Sequence, residues 1–241
     1  MTSKPDGLRL LLVGSSGRMG SAITRAAELD ASCVIAGHIN SAEAQLPASA
    51  DGLVVVDFST DAGTSQAISI AAELKTPILI GTTALEQATI AAIDRASMDI
   101  PVLLASNTSL GVAILEVLLK ITSRILGDHS GIEVACTETH HAGKQDSPSG
   151  TAISLAKTVS ENGLELPSTK IRSIRAGDVV GEHEICFENG LERLTLRHEA
   201  LDRGLFAEGA IQMARLLLGR APGRYQVADL LQFAETTNEK S

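Results

Sequence analysis

The sequence predicts an α/β protein: a doubly wound parallel sheet near the N-terminus, followed by a smaller α+β domain. Three observations lead there. Short apolar runs alternate with helical stretches through the first half of the chain, as expected for βα units whose strands are covered on both faces. Later the pattern gives way to strand-like runs, two of them joined by Asn189-Gly190, a hairpin signal. Aromatic residues make up only 2% of 241 residues, against 44% apolar residues overall. The core must therefore be built from Ala, Val, Ile and Leu, which suits helices packed on a parallel sheet.

The elements follow in order. Residues 8–13 form an apolar strand that runs into Gly14-Ser15-Ser16-Gly17-Arg18-Met19-Gly20 and an Ala-rich helix to residue 29. Residues 33–39 read as a second strand and 53–58 as an uninterrupted apolar third, with a helix over 62–74. The strand at 77–80 ends at Gly81-Thr82-Thr83 and is followed by a helix over 85–97. The strand at 101–105 ends at Ser106-Asn107-Thr108-Ser109. A long helix over 110–126, a strand over 132–139 and a helix over 151–161 open the second part. Strand-like runs at 170–175, 181–188 and 191–197 make a largely antiparallel sheet; a helix over 202–218 and a short apolar tail at 225–233 close the chain.

Bulk properties narrow the function. A formal charge of −9 argues against nucleic acid, since phosphate binding needs a basic surface. No apolar run reaches the ~20 residues of a membrane span. The first residues are polar, unlike a signal peptide. Cys33, Cys136 and Cys186 share no metal-ligand spacing and read as idle thiols of a reducing compartment. A cytoplasmic protein is expected.

Two motifs carry chemistry. Gly14-x-x-Gly17-x-x-Gly20 follows a strand and opens a helix. Glycine there permits positive φ and lets backbone approach a pyrophosphate, and free N–H groups at the helix start complete the anion site. A ligand-free βα turn has the same composition. Arg18 inside the loop can reach a phosphate. At the end of the second strand, Asn40 is neither acidic nor basic, which leaves NAD against NADP open. Gly81, Thr82 and Thr83, with Ala105, Ser106, Asn107 and Thr108, lie at carboxyl ends of strands, the edge where such sheets bind ligands.

The second motif is Glu138-Thr139-His140-His141-Ala142-Gly143-Lys144-Gln145-Asp146-Ser147-Pro148-Ser149-Gly150-Thr151-Ala152. Imidazole exchanges protons near neutrality, an ammonium adds a donor and a fixed charge, and Ser149-Gly150-Thr151 at a helix start suits a carboxylate. Adjacent His140 and His141 point to opposite faces of a strand and no third ligand shows suitable spacing, so no metal is expected. His38, His129, His183 and His198 stand isolated. Arg175 and Arg203 are either anion contacts or solvated surface.

On these residues the chain resembles the 4-hydroxy-tetrahydrodipicolinate reductase family, also called dihydrodipicolinate reductase. The resemblance covers nearly the whole chain and includes the Gly14–Gly20 loop, Gly81-Thr82-Thr83, the hinge segment from Ala105 to Leu110, the block from Arg175 to His183, and Phe206-Ala207-x-Gly209-Ala210. It implies NADPH- or NADH-dependent reduction of a cyclic hydroxylated dicarboxylate, with release of water, on the diaminopimelate route to lysine. It implies His140 and Lys144 as catalytic proton-transfer residues. His141 and the Ser149-Gly150-Thr151 turn would bind substrate. Gly14, Ser15, Ser16, Gly17, Arg18, Met19, Asn40, Gly81, Thr82, Thr83, Ala105, Ser106, Asn107 and Thr108 would bind cofactor. The implied organisation is a Rossmann-like cofactor domain (1–109), a substrate-binding and oligomerisation domain (110–202) and a segment (203–241) returning to the first, in a homotetramer held by the second domain's sheets. Three departures stand out: Asn40 replaces an acidic residue, Ala84 a glycine and Thr108 a Phe. Two rival readings are another dehydrogenase of a small amino or keto acid and a non-catalytic dinucleotide sensor. A sensor leaves His140 and Lys144 without a task.

Overall fold

A computed structural model describes residues 7–230. In chain order the elements are β1 (Leu8–Val13), α1 (Arg18–Leu29), β2 (Cys33–Ile39), β3 (Ala44–Gln45), β4 (Leu53–Asp57), α2 (Asp61–Leu74), β5 (Ile78–Ile80), α3 (Gln87–Ala96) and β6 (Pro101–Leu104). There follow α4 (Leu110–Gly127), β7 (Glu133–His140), α5 (Gly150–Ser160), β8 (Ile171–Arg175), β9 (Gly181–Glu188), β10 (Arg193–Ala200), α6 (Gly204–Leu217), β11 (Gly223–Tyr225) and α7 (Val227–Leu230). They divide into two units, one of residues up to Ala105 and from Ala210 on, the other Ser106–Gly209. The segment 106–109, assigned by its pattern to the first domain, belongs to the second unit. There Asn107 Nδ2 donates to Thr151 Oγ1 at 3.0 Å and Thr108 Oγ1 to the Phe206 carbonyl at 2.7 Å.

The first unit is a seven-stranded sheet in the order β11-β6-β5-β4-β1-β2-β3, parallel except for the β2–β3 pair. Leu11, Val13, Leu53, Val55, Ile78, Ile80 and Val102 fill its core. Strand order reverses at β1, whose neighbours are β4 and β2. In open α/β sheets that reversal opens a crevice at the carboxyl ends of the strands, where ligands bind. The glycine-rich turn leaves β1 at that edge. β3 and β11, of two and three residues, are too short to show alternation, and sequence periodicity misses both. The tail expected at 225–233 resolves into the end of β11 and α7; residues after 230 lie outside the described part.

The second unit has a four-stranded sheet in the order β10-β9-β7-β8, antiparallel except for β7–β8. α4 and α5 supply Leu115, Leu119, Leu155 and Val159 to its core, against Ile185 and Phe187 of β9. Both helices are capped by serine: Ser109 Oγ accepts from Val112 N–H and Ser149 Oγ from Ala152 N–H, each at 3.2 Å. The caps fix where each helix begins and which amides its first turn leaves free. Among the described residues no helix is long and apolar enough to cross a membrane.

Ala84, where the resemblance implies a glycine, has φ +57°. The left-handed region strains a side-chain-bearing residue by about 1–2 kcal/mol, which gives the family preference a physical reason. Ala84→Gly is expected to raise unfolding free energy by about 1 kcal/mol after the entropic cost of glycine is offset. Urea unfolding of the two proteins checks this, and an unchanged or lowered midpoint would contradict it.

Candidate active site

The first unit presents a turn built for close approach. Gly14 has φ +82°, and a Cβ there would stand 2.3 Å from the Phe58 carbonyl oxygen. A Cβ on Gly20 would stand 2.4 Å from the Gly14 oxygen. Both positions therefore require glycine, and α1 seats directly on the turn. Gly17 is the N-cap of α1, which has no side-chain cap and no acid in its first turn. The first-turn N–H groups of Arg18 and Met19 have no intrahelical acceptor by geometry, and the helix dipole adds partial positive charge. These features fit a dinucleotide's phosphates. Ser16, Gly17 and Arg18 are exposed. Asn40 Nδ2 donates to Ser15 Oγ at 3.2 Å, while its Oδ1 accepts from the Ala42 and Glu43 amides. The Asn40 oxygen is therefore committed to its own turn.

Beside this turn lies a buried carboxylate that sequence reading passed over as the end of an apolar strand. Asp57, at the end of β4, is fully buried. It accepts from the hydroxyls of Ser59, Thr64 (2.6 Å) and Thr82 (2.8 Å), and Thr82 Oγ1 in turn accepts from Ser59 N–H at 2.8 Å. Burial pushes the Asp57 carboxyl up, and the three hydroxyls oppose this. The Thr82 side chain is thereby pinned, while Thr83 is exposed. Gly81 owes its identity to packing, since a Cβ there would lie 2.1 Å from the Phe58 ring. Ala105 donates its amide to the Ile80 carbonyl and is buried.

The second unit gathers the acid–base groups around Glu138, which is fully buried on β7. His140 Nδ1 donates to Glu138 Oε2; Arg175 Nη2 donates to Oε1 at 2.9 Å; Ser149 N–H approaches Oε1 at 3.4 Å. Arg175 sits opposite His140 in the β7–β8 register. The same guanidinium donates to the Asp146 carbonyl at 2.5 Å, which ties down the loop carrying Lys144. Lys144 Nζ pairs with Asp146 Oδ1 at 2.8 Å. Ala142 N–H bonds the Gly177 carbonyl, and the turn closes through Lys144 N–H to the His141 carbonyl. Ser149 caps α5, with Gly150 exposed and Thr151 partly so.

Sequence reading treated His183 as isolated, which the structure corrects, and left Arg175 as either an anion contact or solvated surface; it is an anion contact, to the Glu138 carboxylate. His183 faces Glu138 across the β7–β9 register. Its ring packs edge-on to His140, with centroids 5.1 Å apart, and its Nε2 lies 3.3 Å from Ser149 Oγ. The signal was present: in β9 the inward positions are Gly181, His183, Ile185 and Phe187, a polar ring in an apolar row. A different set, Glu138, His140 and His183 without His141, brings donor atoms within 4.8 Å of one another. Those donors are engaged elsewhere. Both Glu138 oxygens serve Arg175 and His140, and His183 Nε2 serves Ser149. Acid–base chemistry fits this donor set better than ligation of an ion. Thr108 and Asn107 spend their side chains inside the second unit, as described above.

Burial governs the titration. It lowers His140 despite the opposing pull of Glu138. It lowers His183 to about 4, with His140, His198 and Lys144 adding to the effect. Burial alone would raise Glu138, but Arg175 and His140 outweigh it and hold the carboxyl below its ordinary value. Burial thus favours the neutral form of both imidazoles. Because His183 titrates near 6.5 unfolded and about 4 folded, the unfolded chain holds the extra proton between those values. Stability supplied by this group is therefore present above 6.5 and is lost as pH falls toward 4. Acidification from near pH 7 to near pH 5 should cost the parent protein about 2 kcal/mol more than it costs His183→Leu. Urea unfolding of both proteins at the two pH values measures this, and parallel losses would refute the assignment.

Comparison with known proteins places this geometry. A family model described as "Dihydrodipicolinate reductase, N-terminus" matches residues 8–108, and one described as "Dihydrodipicolinate reductase, C-terminus" matches residues 111–231. A 4-hydroxy-tetrahydrodipicolinate reductase of Xanthomonas campestris pv. campestris is 37% identical over 247 residues, covering 96% of this chain and 100% of that protein. One from Stenotrophomonas maltophilia is 38% identical over 240 residues, covering 93% and 98%. Among solved structures, a dipicolinate-bound dihydrodipicolinate reductase from Paenisporosarcina shares the fold with a TM-score of 0.71 at 17% identity, over 91% of this chain and 97% of that one. The chain belongs to the dihydrodipicolinate reductase family.

Proposed function

We propose that this protein reduces (2S,4S)-4-hydroxy-2,3,4,5-tetrahydrodipicolinate to tetrahydrodipicolinate, in lysine biosynthesis through diaminopimelate. The step consumes one nicotinamide hydride and one proton and releases one water. The observation that carries the reading is the Glu138–His140 pair next to Lys144 and the α5 amide turn, in a chain of this family. When bound, the dinucleotide supplies the hydride. The Gly14–Gly20 turn, with the amides of Arg18 and Met19, would hold its phosphates, and Ser15, Asn40, Thr82 and Thr83 would supply further contacts from the same unit.

Each protein group has a task that follows from its surroundings. Glu138 accepts the Nδ1 proton of His140, which fixes the tautomer and leaves Nε2 to exchange a proton with substrate. Lys144 gives a proton to the reacting ring or to the departing hydroxyl. Gly150 and Thr151 present amides to one carboxylate and His141 assists the other, with the α5 dipole adding to the attraction. A cytoplasmic homotetramer is part of this reading. Self-association is supported by an exposed apolar stripe on α4 of Leu110, Ile114, Leu118, Ile121 and Ile125, which is more than a lone helix ordinarily leaves in water.

Oxidation of NADPH and of NADH is to be followed with the fresh condensation product of pyruvate and aspartate semialdehyde. Substrate-dependent oxidation is expected, and the ratio of the two rates reports what Asn40 selects. Silence from folded, dinucleotide-binding protein would return the reading to a sensor. His140→Ala and Lys144→Ala should each lose about 100- to 10,000-fold in kcat while keeping dinucleotide affinity; near-normal turnover in both would sink the assignment. Light scattering should give four times the chain mass, and a monomer at micromolar concentration would remove the tetramer.

A further inference from the structure

His183 is buried in the second unit without a role in the steps above. Of the inward row of β9, Ile185 and Phe187 enter the apolar core while His183 is 4% exposed. Burying a polar ring without return costs up to a few kcal/mol. Its surroundings supply the return. The Ser149 hydroxyl accepts from Ala152 N–H at 3.2 Å, so its own hydrogen must point elsewhere. His183 Nε2 lies 3.3 Å away, and as an acceptor it would take that hydrogen. The imidazole then carries its hydrogen on Nδ1, which has no partner among the described residues.

The consequence reaches the anion-binding turn. With Ala152 N–H taken by the cap, the N–H groups of Gly150 and Thr151 are the first-turn amides left for a ligand. Their direction depends on the cap staying in place. β9 also backs His140: the His183 ring meets it at 76°, and a Cβ on Gly181 would stand 3.1 Å from His140 Nε2. The device occurs twice. Ser109, the cap of α4, lies 3.3 Å from His198 Nε2, and His198 pairs with His183 across β9–β10. Only at α5 does it adjoin the Gly150-Thr151 turn.

We propose that His183 is a positioning residue of the substrate site: by accepting the Ser149 hydroxyl it locks the α5 cap, and so aims the Gly150 and Thr151 amides, while its ring braces His140. The inference rests on the reading of that turn as a carboxylate anchor. Dipicolinate binding, measured by calorimetry in the presence of NADPH, tests it. His183→Leu, which keeps bulk and loses the acceptor, should weaken binding about tenfold, the scale of one hydrogen bond. His183→Gln, whose oxygen can accept from Ser149, should recover most of the loss. In a Ser149→Ala background His183→Leu should cost less than about twofold more, because both changes break one linkage. NADPH affinity should not move. Loss that Gln does not rescue, or that adds fully to Ser149→Ala, would make His183 a packing residue and overturn the proposal.

Nitrogen-15 NMR of the histidine rings gives a ligand-independent reading. A neutral Nδ1–H tautomer for His183 at pH 7, with an Nε2 shift that changes in Ser149→Ala, is expected. An Nε2–H tautomer or a charged ring would overturn the proposal even if binding behaved. If the tautomer and the binding series come out as expected but no substrate-dependent oxidation is seen, the reaction reading fails and the positioning role stands. If wild-type protein does not bind dipicolinate, the anchor reading fails and the tautomer alone decides the Ser149 linkage.

Discussion

The chemistry of the second unit depends on one buried negative charge. Glu138 lies at 0% exposure, where an unpaired carboxylate is untenable. It is kept ionised by a guanidinium from β8, an imidazole from its own strand and the first amide of the helix cap. Those bonds do more than neutralise it. They bring β7, β8 and the start of α5 to one point, and they hold Arg175 where it also grips the Asp146 carbonyl. Removing Glu138 would leave Arg175, whose side chain is 18% exposed, without its counter-ion, and cutting one member of a fully buried pair costs about 3–5 kcal/mol, an upper bound here.

Asp57 plays a comparable organising part in the first unit with different chemistry. No cation faces it. Three hydroxyls satisfy it instead, two of them from the turns after β4 and β5 and one from inside α2. Neutral donors offset burial less completely than a guanidinium does, and the two acids diverge accordingly: burial wins at Asp57, pairing wins at Glu138. The carboxylate that accepts from an imidazole is the one given a cation. The one that only ties turns together is given hydroxyls.

Much of this was legible in the sequence because it is local. The Gly14–Gly20 spacing, the Ser149 cap and the His140–Lys144 spacing all lie within single segments, and strands of five or more residues show their period. What escaped depends on register. His183 meets Glu138, and Arg175 meets His140, only because β9 and β8 align with β7 at those positions. One residue of slip would turn each side chain to the other face. Nothing near Arg175 in sequence distinguishes a solvated arginine from a paired one. Asn107 shows a similar limit, since its partner Thr151 is 44 residues away and draws segment 106–109 into the second unit.

The charge balance of the second site bears on how a dicarboxylate would enter it. Glu138 is matched by Arg175, Lys144 by Asp146, and burial favours the neutral form of the two imidazoles. No surplus positive side chain waits at its centre. On the proposed reading, attraction must come from the α5 amides and dipole, together with exchange at Lys144. The Lys144–Asp146 pair suits exchange, because Asp146 is more than half exposed while Lys144 is mostly covered. An exposed pair is worth about 1 kcal/mol or less, so a substrate carboxylate can displace Asp146 into water at little cost. On the same reading the Arg175–Glu138 pair, with its carboxylate fully buried and its guanidinium 18% exposed, keeps the His140 tautomer fixed while the lysine changes partners.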